Sequence, residues 1–340
     1  MGIRFGLIGA GRMGKVFANT LAFAVSEVDL VAVADPNGEA VDEVAARFHI
    51  SQKFKDFHEL LAKDEIDAVV IASPTGTHAE VVTAAALAGK QIFCEKPLSQ
   101  DLKACDSAIT AVQQAGVKLQ MGFMRRFDPP YAAAKQKIID GVIGMPVMFK
   151  STSRDPKRTS LEFARRENSG GMIMDMGVHD FDLARWLMGS EVTRVYSEGA
   201  CLAFPELKEV GDIDNAVVNL RFATDAVGNI DISRSAVYGY DIRTEVMGTE
   251  GSLWIGYLQQ TPTLVLTRDG VTHDTVPYFM ERFGSAYAEE VRVFVNHIIN
   301  DTEPDVTGED ARAATAIGIA ATLSLDEERP VLLSEIESSF

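Results

Sequence analysis

Asp175 and His179 stand four residues apart in the run Gly170-Gly171-Met172-Ile173-Met174-Asp175-Met176-Gly177-Val178-His179-Asp180-Phe181-Asp182. On a helix that spacing puts both side chains on one face, with Asp182 three residues further along the same side. A carboxylate beside an imidazole fixes its tautomer and supports its protonated form, as abstraction of a hydroxyl proton requires. A lone histidine on an apolar helix is more often a satisfied core residue, but carboxylates on both sides argue against that here. Asp and His also ligate metals, yet no convincing third ligand accompanies them, so no metal is expected. Lys96 is the second group with chemistry, in Cys94-Glu95-Lys96-Pro97-Leu98. It directly ends an apolar run and is fixed by the following proline. Its ammonium can donate to a substrate oxygen and stabilise an alkoxide as it forms. Glu95 can hold a ribose hydroxyl or orient Lys96.

A third group binds rather than reacts. Gly9-Ala10-Gly11-Arg12-Met13-Gly14 lies between the apolar runs 3–8 and 30–34, and Asp35 closes the second run. Gly9 permits the tight turn, Gly11 lets backbone approach a pyrophosphate, and Gly14 lets helix and strand pack closely. The helix start that follows offers N–H donors to phosphates, with Arg12 and Met13 in the loop beside them. Asp35 falls where the ribose-binding acid of a dinucleotide fold belongs. A carboxylate there accepts from ribose hydroxyls and repels a 2′-phosphate. Pro36 and Asn37 follow it rather than a basic pair, so NAD is favoured over NADP, although Arg12 could reach either phosphate group. After the next buried run comes Ala72-Ser73-Pro74-Thr75-Gly76-Thr77-His78. Ser73, Thr75 and His78 are expected at the nicotinamide half of the cofactor. The plainer alternative is a capped helix with Thr75 or Thr77 as its cap.

The elements that must position these groups fall into two regions. Up to residue 122, apolar runs at 3–8, 29–34, 67–72, 91–94 and 117–121 alternate with helical patterns at 14–24, 38–47, 56–62, 77–88 and 101–115. Such alternation predicts parallel strands with crossover helices. Beyond 123 the pattern changes to a helix at 129–140, a strand at 145–153 and a helix at 174–188. Strands then follow one another at 192–200, 213–222, 227–235, 241–247, 251–255, 263–267 and 272–276, which predicts an antiparallel sheet. Helices at 281–300 and 309–326 come last, the first with a core stripe of Phe283, Tyr287, Val291, Phe294 and Ile298. The expected domains are 1–122 for the cofactor and 123–340 for the substrate. Ligands of open α/β sheets sit at the carboxyl ends of the strands, where Lys96 and the Ser73 turn fall.

Composition narrows the partners. The 340 residues carry a net charge of −17, which excludes nucleic acid and anionic membranes as expected partners. The chain begins at once with a strand pattern, so no signal peptide is expected, and no apolar run approaches a membrane span. Cys94, Cys105 and Cys201 have no metal-like spacing and fit reduced thiols in a cytoplasm.

Together the motifs GAGRMG, SPTGTH, EKPLS, MGFMRRFDP, SGGMIMDMGVHD and GTEGSLWIG resemble the glucose–fructose oxidoreductase/inositol dehydrogenase family over nearly the whole chain. The resemblance implies an N-terminal NAD-binding Rossmann domain and a C-terminal α+β domain with a large, mostly antiparallel open sheet. It also implies dimers or, as expected here, homotetramers built through that sheet. Family members oxidise or reduce one carbon of a cyclic polyol or sugar, which implies Lys96, Asp175 and His179 as catalytic residues. Within the family the chain looks closest to the inositol 2-dehydrogenases, from Met121–Pro129 and from Tyr238-Gly239-Tyr240-Asp241-Ile242-Arg243. That likeness implies substrate contacts by Met124, Arg126 and Tyr238, alongside Lys96, Asp175 and His179. One run departs from the pattern: Ser153-Arg154-Asp155-Pro156 replaces His-Arg-Asn-Pro. Ser153 and Asp155 are thus expected at the polyol and leave the accepted stereoisomer open. An NADP-linked enzyme, or one acting on scyllo-inositol or a pyranose, is the alternative within enzymes. A non-catalytic dinucleotide-binding regulator is the other, but it has no need for Lys96 with Asp175 and His179.

Overall fold

The computed structural model describes residues 2–338. Six strands, β1 (Ile3–Ile8), β2 (Val28–Ala34), β3 (Gln52–Phe54), β4 (Ala68–Ile71), β5 (Gln91–Glu95) and β6 (Leu119–Gly122), make a parallel sheet in the order β3-β2-β1-β4-β5-β6. All four residues of β4 are fully buried, as a strand covered by helices on both faces must be. The chain reverses its direction of winding between β1 and β4, and a crevice opens at the carboxyl ends there. The glycine turn after β1 and the Ser73 turn after β4 both lie at that edge. β3 is a departure from the sequence reading: Gln-Lys-Phe is too short and polar to show as an apolar run, and it forms by pairing its backbone with β2.

The second sheet is built from β7 (Pro146–Arg154), β8 (Val192–Ala200), β9 (Asn215–Phe222), β10 (Val227–Ser233), β11 (Asp241–Gly248) and β12 (Ser252–Ile255). A separate two-stranded ribbon, β13 (Val265–Thr267) with β14 (Gly270–Thr272), follows, and β15 (Val331–Leu332) adds an edge to the large sheet. The order is β12-β11-β7-β10-β9-β8-β15, antiparallel throughout except for the parallel β7–β10 pair. A parallel pair needs a long crossover, and here it includes the helix Gly171–Met188. That helix lies on β7 and β10, and it comes close because Gly177 has no Cβ: one placed there would stand 2.9 Å from Ile232 Cδ1. The strand expected at 272–276 lies earlier, at Gly270–Thr272.

Contacts divide the chain into two compact units, 1–124 with 285–315, and 125–284 with 316–340. The continuous 123–340 domain drawn from the sequence is therefore interrupted. Side chains explain why. Phe294 packs on Phe5 and Phe93 at ring separations of 6.2 and 6.0 Å, and Tyr287 on Phe17 at 6.0 Å. The aromatic stripe is core packing, but its later residues complete the first unit's core. Among the described residues no helix is long and apolar enough to cross a membrane.

Candidate active site

The three glycines of the first turn differ in what surrounds them. Gly9 has φ +101°, and a Cβ there would stand 2.5 Å from the Ala72 carbonyl. A Cβ on Gly14 would come within 2.0 Å of the Gly9 carbonyl oxygen. At Gly11 it would meet nothing within 4 Å. Two glycines are thus required by the protein itself, and the middle one faces space. That space is a cleft of about 540 Å³ whose lining includes Ala10, Gly11, Arg12, Lys15 and Asn37. Gly11 is the N-cap of the helix Arg12–Phe23 and provides no side-chain cap, which suits donors meant for a phosphate. Asp35 ends β2 beside the turn. Its Oδ2 accepts the Ala10 N–H at 2.8 Å and its Oδ1 accepts the Asn37 N–H at 2.8 Å. The open approach to Gly11 and a carboxylate locked at the strand end fit a dinucleotide with an unphosphorylated ribose.

At the end of β5 the side chains emerge from the core. Ile92, Phe93, Cys94 and Glu95 are buried, and Lys96 is half-buried. The Lys96 N–H donates to Glu95 Oε2 at 3.0 Å, and the Lys96–Pro97 peptide is cis. Burial pushes the Glu95 carboxyl up to about 7, against the opposing pull of the Lys96 and Arg12 charges. Glu290, on the helix Phe279–Asn300, is fully buried, and burial followed by the Glu95 charge raises its carboxyl far above the usual range. Glu95 Oε1 and both Glu290 carboxyl oxygens have no hydrogen-bond partner among the described residues. Sequence reading missed Glu290. It stands inside an amphipathic helix and is separated from Glu95 by almost 200 residues.

His78 is a correction. The sequence reading set it against the cofactor, but the ring is 2% exposed and both nitrogens are engaged by backbone. Nδ1 lies 2.8 Å from the Pro97 carbonyl oxygen and Nε2 2.8 Å from that of Ser73. Ser73 Oγ and Thr77 Oγ1 are 2.8 Å apart, and Thr77 donates to the Pro74 carbonyl, so the turn is internally braced. Thr75 and Met13 are partly exposed at this same edge.

In the second unit, every residue from Gly171 to Ala184 is buried except Asp175 and His179. The i, i+4 spacing has therefore opened one stripe on an otherwise enclosed stretch of helix. Of the His179 nitrogens, Nδ1 is buried. The helix starts at a Gly170-Gly171 pair with φ +78° and +76°, and Asp212 accepts the Met172 N–H at 2.9 Å. Arg234 donates to Asp175 from a buried position. Neither Arg234 nor Asp212 carries a local signal, because each meets this helix from a distant part of the chain.

Four of the expected assignments change. Asp182, expected beside His179, takes Arg126, whose Nε donates to its Oδ2 at 2.9 Å, and both are buried. Arg126 is thereby a scaffold ion pair, stacked 5.6 Å from the Trp186 ring, rather than a polyol contact. Ser153 is 1% exposed and accepts from Arg125 Nη2 at 3.0 Å; Arg125 also donates to Asp180 at 2.8 Å. Met124 is buried as well. Asp155 and Tyr238 stay accessible. The Tyr238 hydroxyl donates to Asp241 at 2.9 Å and accepts from Arg154 at 3.0 Å, so its ring is held in place. Among the described residues no three His, Cys, Asp or Glu side chains gather as a metal ion would need.

Known proteins match both regions. The oxidoreductase family's NAD-binding Rossmann fold matches residues 3–123, and its C-terminal alpha/beta domain matches 135–333. A myo-inositol 2-dehydrogenase of Thermotoga maritima is 40% identical over 335 residues, covering 98% of this chain and 99% of the relative. An NAD(+)-dependent scyllo-inositol 2-dehydrogenase of Bacillus subtilis is 40% identical over 331 residues, covering 97% and 96%. The scyllo-inositol dehydrogenase of Lactobacillus casei, solved with NAD(H) and scyllo-inositol, superposes with a TM-score of 0.94 at 32% identity over 98% of this chain and 100% of its own. With both halves matched end to end, the chain belongs to the glucose–fructose oxidoreductase/inositol dehydrogenase family of oxidoreductases.

Proposed function

We propose that this chain is an NAD-dependent inositol 2-dehydrogenase that oxidises one ring hydroxyl of myo-inositol to the inosose. The observation that carries the reading is that, from Gly171 to Ala184, Asp175 and His179 alone escape burial. A core histidine would not be left open beside a carboxylate on a stretch otherwise enclosed. Its relatives with bound or named inositols supply the substrate class.

Bound NAD supplies the hydride acceptor, and the chain supplies position and charge. Gly11, the N-terminus of the helix Arg12–Phe23 and Asp35 would hold it, with Arg12, Met13, Ser73, Thr75 and Glu95 along the same edge. His179 Nε2 takes the hydroxyl proton. Lys96 stabilises the oxygen as it gains charge. Asp175 binds a neighbouring hydroxyl and steadies the imidazole. Asp155 and Tyr238 are the accessible residues placed to sort ring stereochemistry. Preference for scyllo-inositol is the second reading, because relatives named for either isomer are equally similar at 40%.

Homotetramers built on the large sheet belong to this proposal. Val217, Val227, Met247 and Trp254 stand exposed on its strands, Trp254 at 83%. A cytoplasmic setting is supported by three buried free thiols, Cys94, Cys105 and Cys201. The test is an initial-rate panel of inositols and monosaccharides with NAD and NADP. Lys96→Ala and His179→Ala should each lower turnover by at least about a hundredfold with NAD binding retained. His179→Ala should also abolish the acid limb of the rate profile. Turnover close to wild type in either folded variant would remove the catalytic assignment. Light scattering that finds only monomers would remove the tetramer.

A further inference from the structure

His78 opens the helix His78–Leu87 and touches two loops at once. Its Nε2 meets the carbonyl of Ser73, which follows β4. Its Nδ1 meets the carbonyl of Pro97, which follows β5 and comes directly after Lys96. Both distances are 2.8 Å, full hydrogen bonds by length. A carbonyl oxygen only accepts, so each bond needs an N–H on the ring. A neutral imidazole has one N–H and would turn a lone pair toward the other carbonyl. Burial lowers the ring's hold on its second proton below that of an ordinary imidazole, and the Lys96 ammonium adds to this; the Pro97, Ser73 and Glu95 carbonyls act the other way, and the two short contacts carry the reading of a ring that donates twice. Two backbone oxygens, one at each nitrogen of an enclosed ring, make a site for two donors.

We propose that His78 is a positioning residue for Lys96, a clamp donating from both ring nitrogens that ties the Ser73 and Pro97 carbonyls together and so fixes the direction in which Lys96 leaves β5. The clamp rests on the reading of Lys96 as the group that stabilises the substrate oxygen. It joins the two loops that the sequence assigned separately to the nicotinamide and to catalysis. A lysine side chain has four rotatable carbons beyond its backbone, and a backbone displaced by about 1 Å can cost about a hundredfold in rate. Glutamine at position 78 has donors at one end only and an oxygen at the other, so it can keep one tie and must break the second.

A double-mutant cycle on the intact enzyme tests the clamp, using His78→Gln and Lys96→Ala with kcat, NAD Kd by fluorescence and Tm read in parallel. His78→Gln should lower kcat by about tenfold or more with NAD Kd little changed, and it should lower kcat no further once Lys96 is alanine. A raised NAD Kd whose effect adds to that of Lys96→Ala would overturn the clamp in favour of direct cofactor contact. A fall in Tm alone, with kcat intact at permissive temperature, would reduce His78 to a stability residue. If Lys96→Ala is itself unimpaired, the clamp falls together with the Lys96 assignment. If Lys96→Ala is inactive and His78→Gln is unimpaired, the clamp alone falls. The second measurement needs no variant: ¹⁵N NMR of the wild-type enzyme near neutral pH, with His78 assigned through bonds. Protons on both ring nitrogens support the clamp, and a bare nitrogen overturns it.

Discussion

Arg234 reaches across 59 positions of sequence to place its Nη2 3.1 Å from Asp175 Oδ2, and the arginine side chain is 2% exposed while the aspartate keeps 22%. The cation is anchored in the core and the anion looks outward, on the stripe it shares with His179. Arg234 follows β10, and its own N–H donates to the Asp214 carbonyl at 2.9 Å, so the guanidinium has a rigid base. Arg234→Met should leave a half-buried carboxylate without its counter-charge. The expected loss is about 3 kcal/mol of stability, the lower end of the range for broken buried pairs because Asp175 sees some water. Asp175→Asn combined with Arg234→Met should recover much of the stability and none of the turnover. Urea unfolding and initial rates measure the two effects separately, and an unchanged midpoint for Arg234→Met would show that the pair holds nothing.

What was legible in the sequence is what the chain writes locally. The glycine turn, Lys96 after β5, and Asp175 with His179 each sit inside one strand-turn-helix or one helix, where spacing implies geometry. The parallel sheet was legible for the same reason, since its strands alternate with helices. Residues whose roles depend on a distant partner were misread. Arg126 and Ser153 look like polyol contacts until Asp182 and Arg125 claim them. Residue type alone cannot show that a guanidinium will meet a carboxylate 56 positions away. The same limit hid Arg234, Asp212 and Glu290, and it hid the return of 285–315 to the first unit. His78 was noticed for its place at the cofactor edge, but its two carbonyl partners exist only after β4 and β5 lie side by side.

Gly11 and Gly14 should separate binding from folding. The added Cβ of Gly14→Ala lands 2.0 Å from a backbone oxygen that has no room to retreat. That variant should fold poorly, with a lower Tm and weaker NAD binding together. Gly11→Ala meets nothing in the protein within 4 Å, so Tm should stay near wild type. Its methyl would occupy the approach to the pyrophosphate, so NAD Kd should rise by about tenfold or more. Calorimetry in the absence and presence of NAD reads both. Wild-type NAD affinity in Gly11→Ala would mean that the cofactor does not cross this turn.

Asp35 carries two duties, and its replacement should show both. The carboxylate would accept from the adenosine ribose, and it already accepts the Ala10 and Asn37 N–H groups at 2.8 Å each. Asp35→Ser should lower NAD efficiency and raise the NADP-to-NAD ratio by about tenfold or more, the scale of one charged hydrogen bond. It should also lower Tm, because a shorter side chain cannot hold both amides. Asp35→Asn should cost less stability, since one carboxamide oxygen can still accept. A fixed NADP-to-NAD ratio in Asp35→Ser would dissociate Asp35 from cofactor choice.

The Glu95–Glu290 pair should make stability fall as pH rises. Glu290 is enclosed with no donor to either oxygen among the described residues, and burial holds its proton on in the folded protein. In the unfolded chain the same carboxyl ionises at its ordinary value. Above that value the unfolded state gains and the folded state does not, so wild-type stability drains away through the carboxylate range and on to about 7, where Glu95 titrates. Below the ordinary range both states are protonated and the penalty vanishes. Glu290→Gln keeps the shape, cannot ionise, and brings amide protons to the side chain that acts on Glu95, whose Oε1 has no partner among the described residues. The variant should therefore be more stable than wild type, and its lead in Tm should widen steadily from about pH 5 to about pH 8. Glu95→Gln should narrow the same pH dependence, because the two carboxyls act on one another. Thermal scans across that range decide the matter: a lead that is flat, or that shrinks with rising pH, would mean that Glu290 is ionised in the native protein.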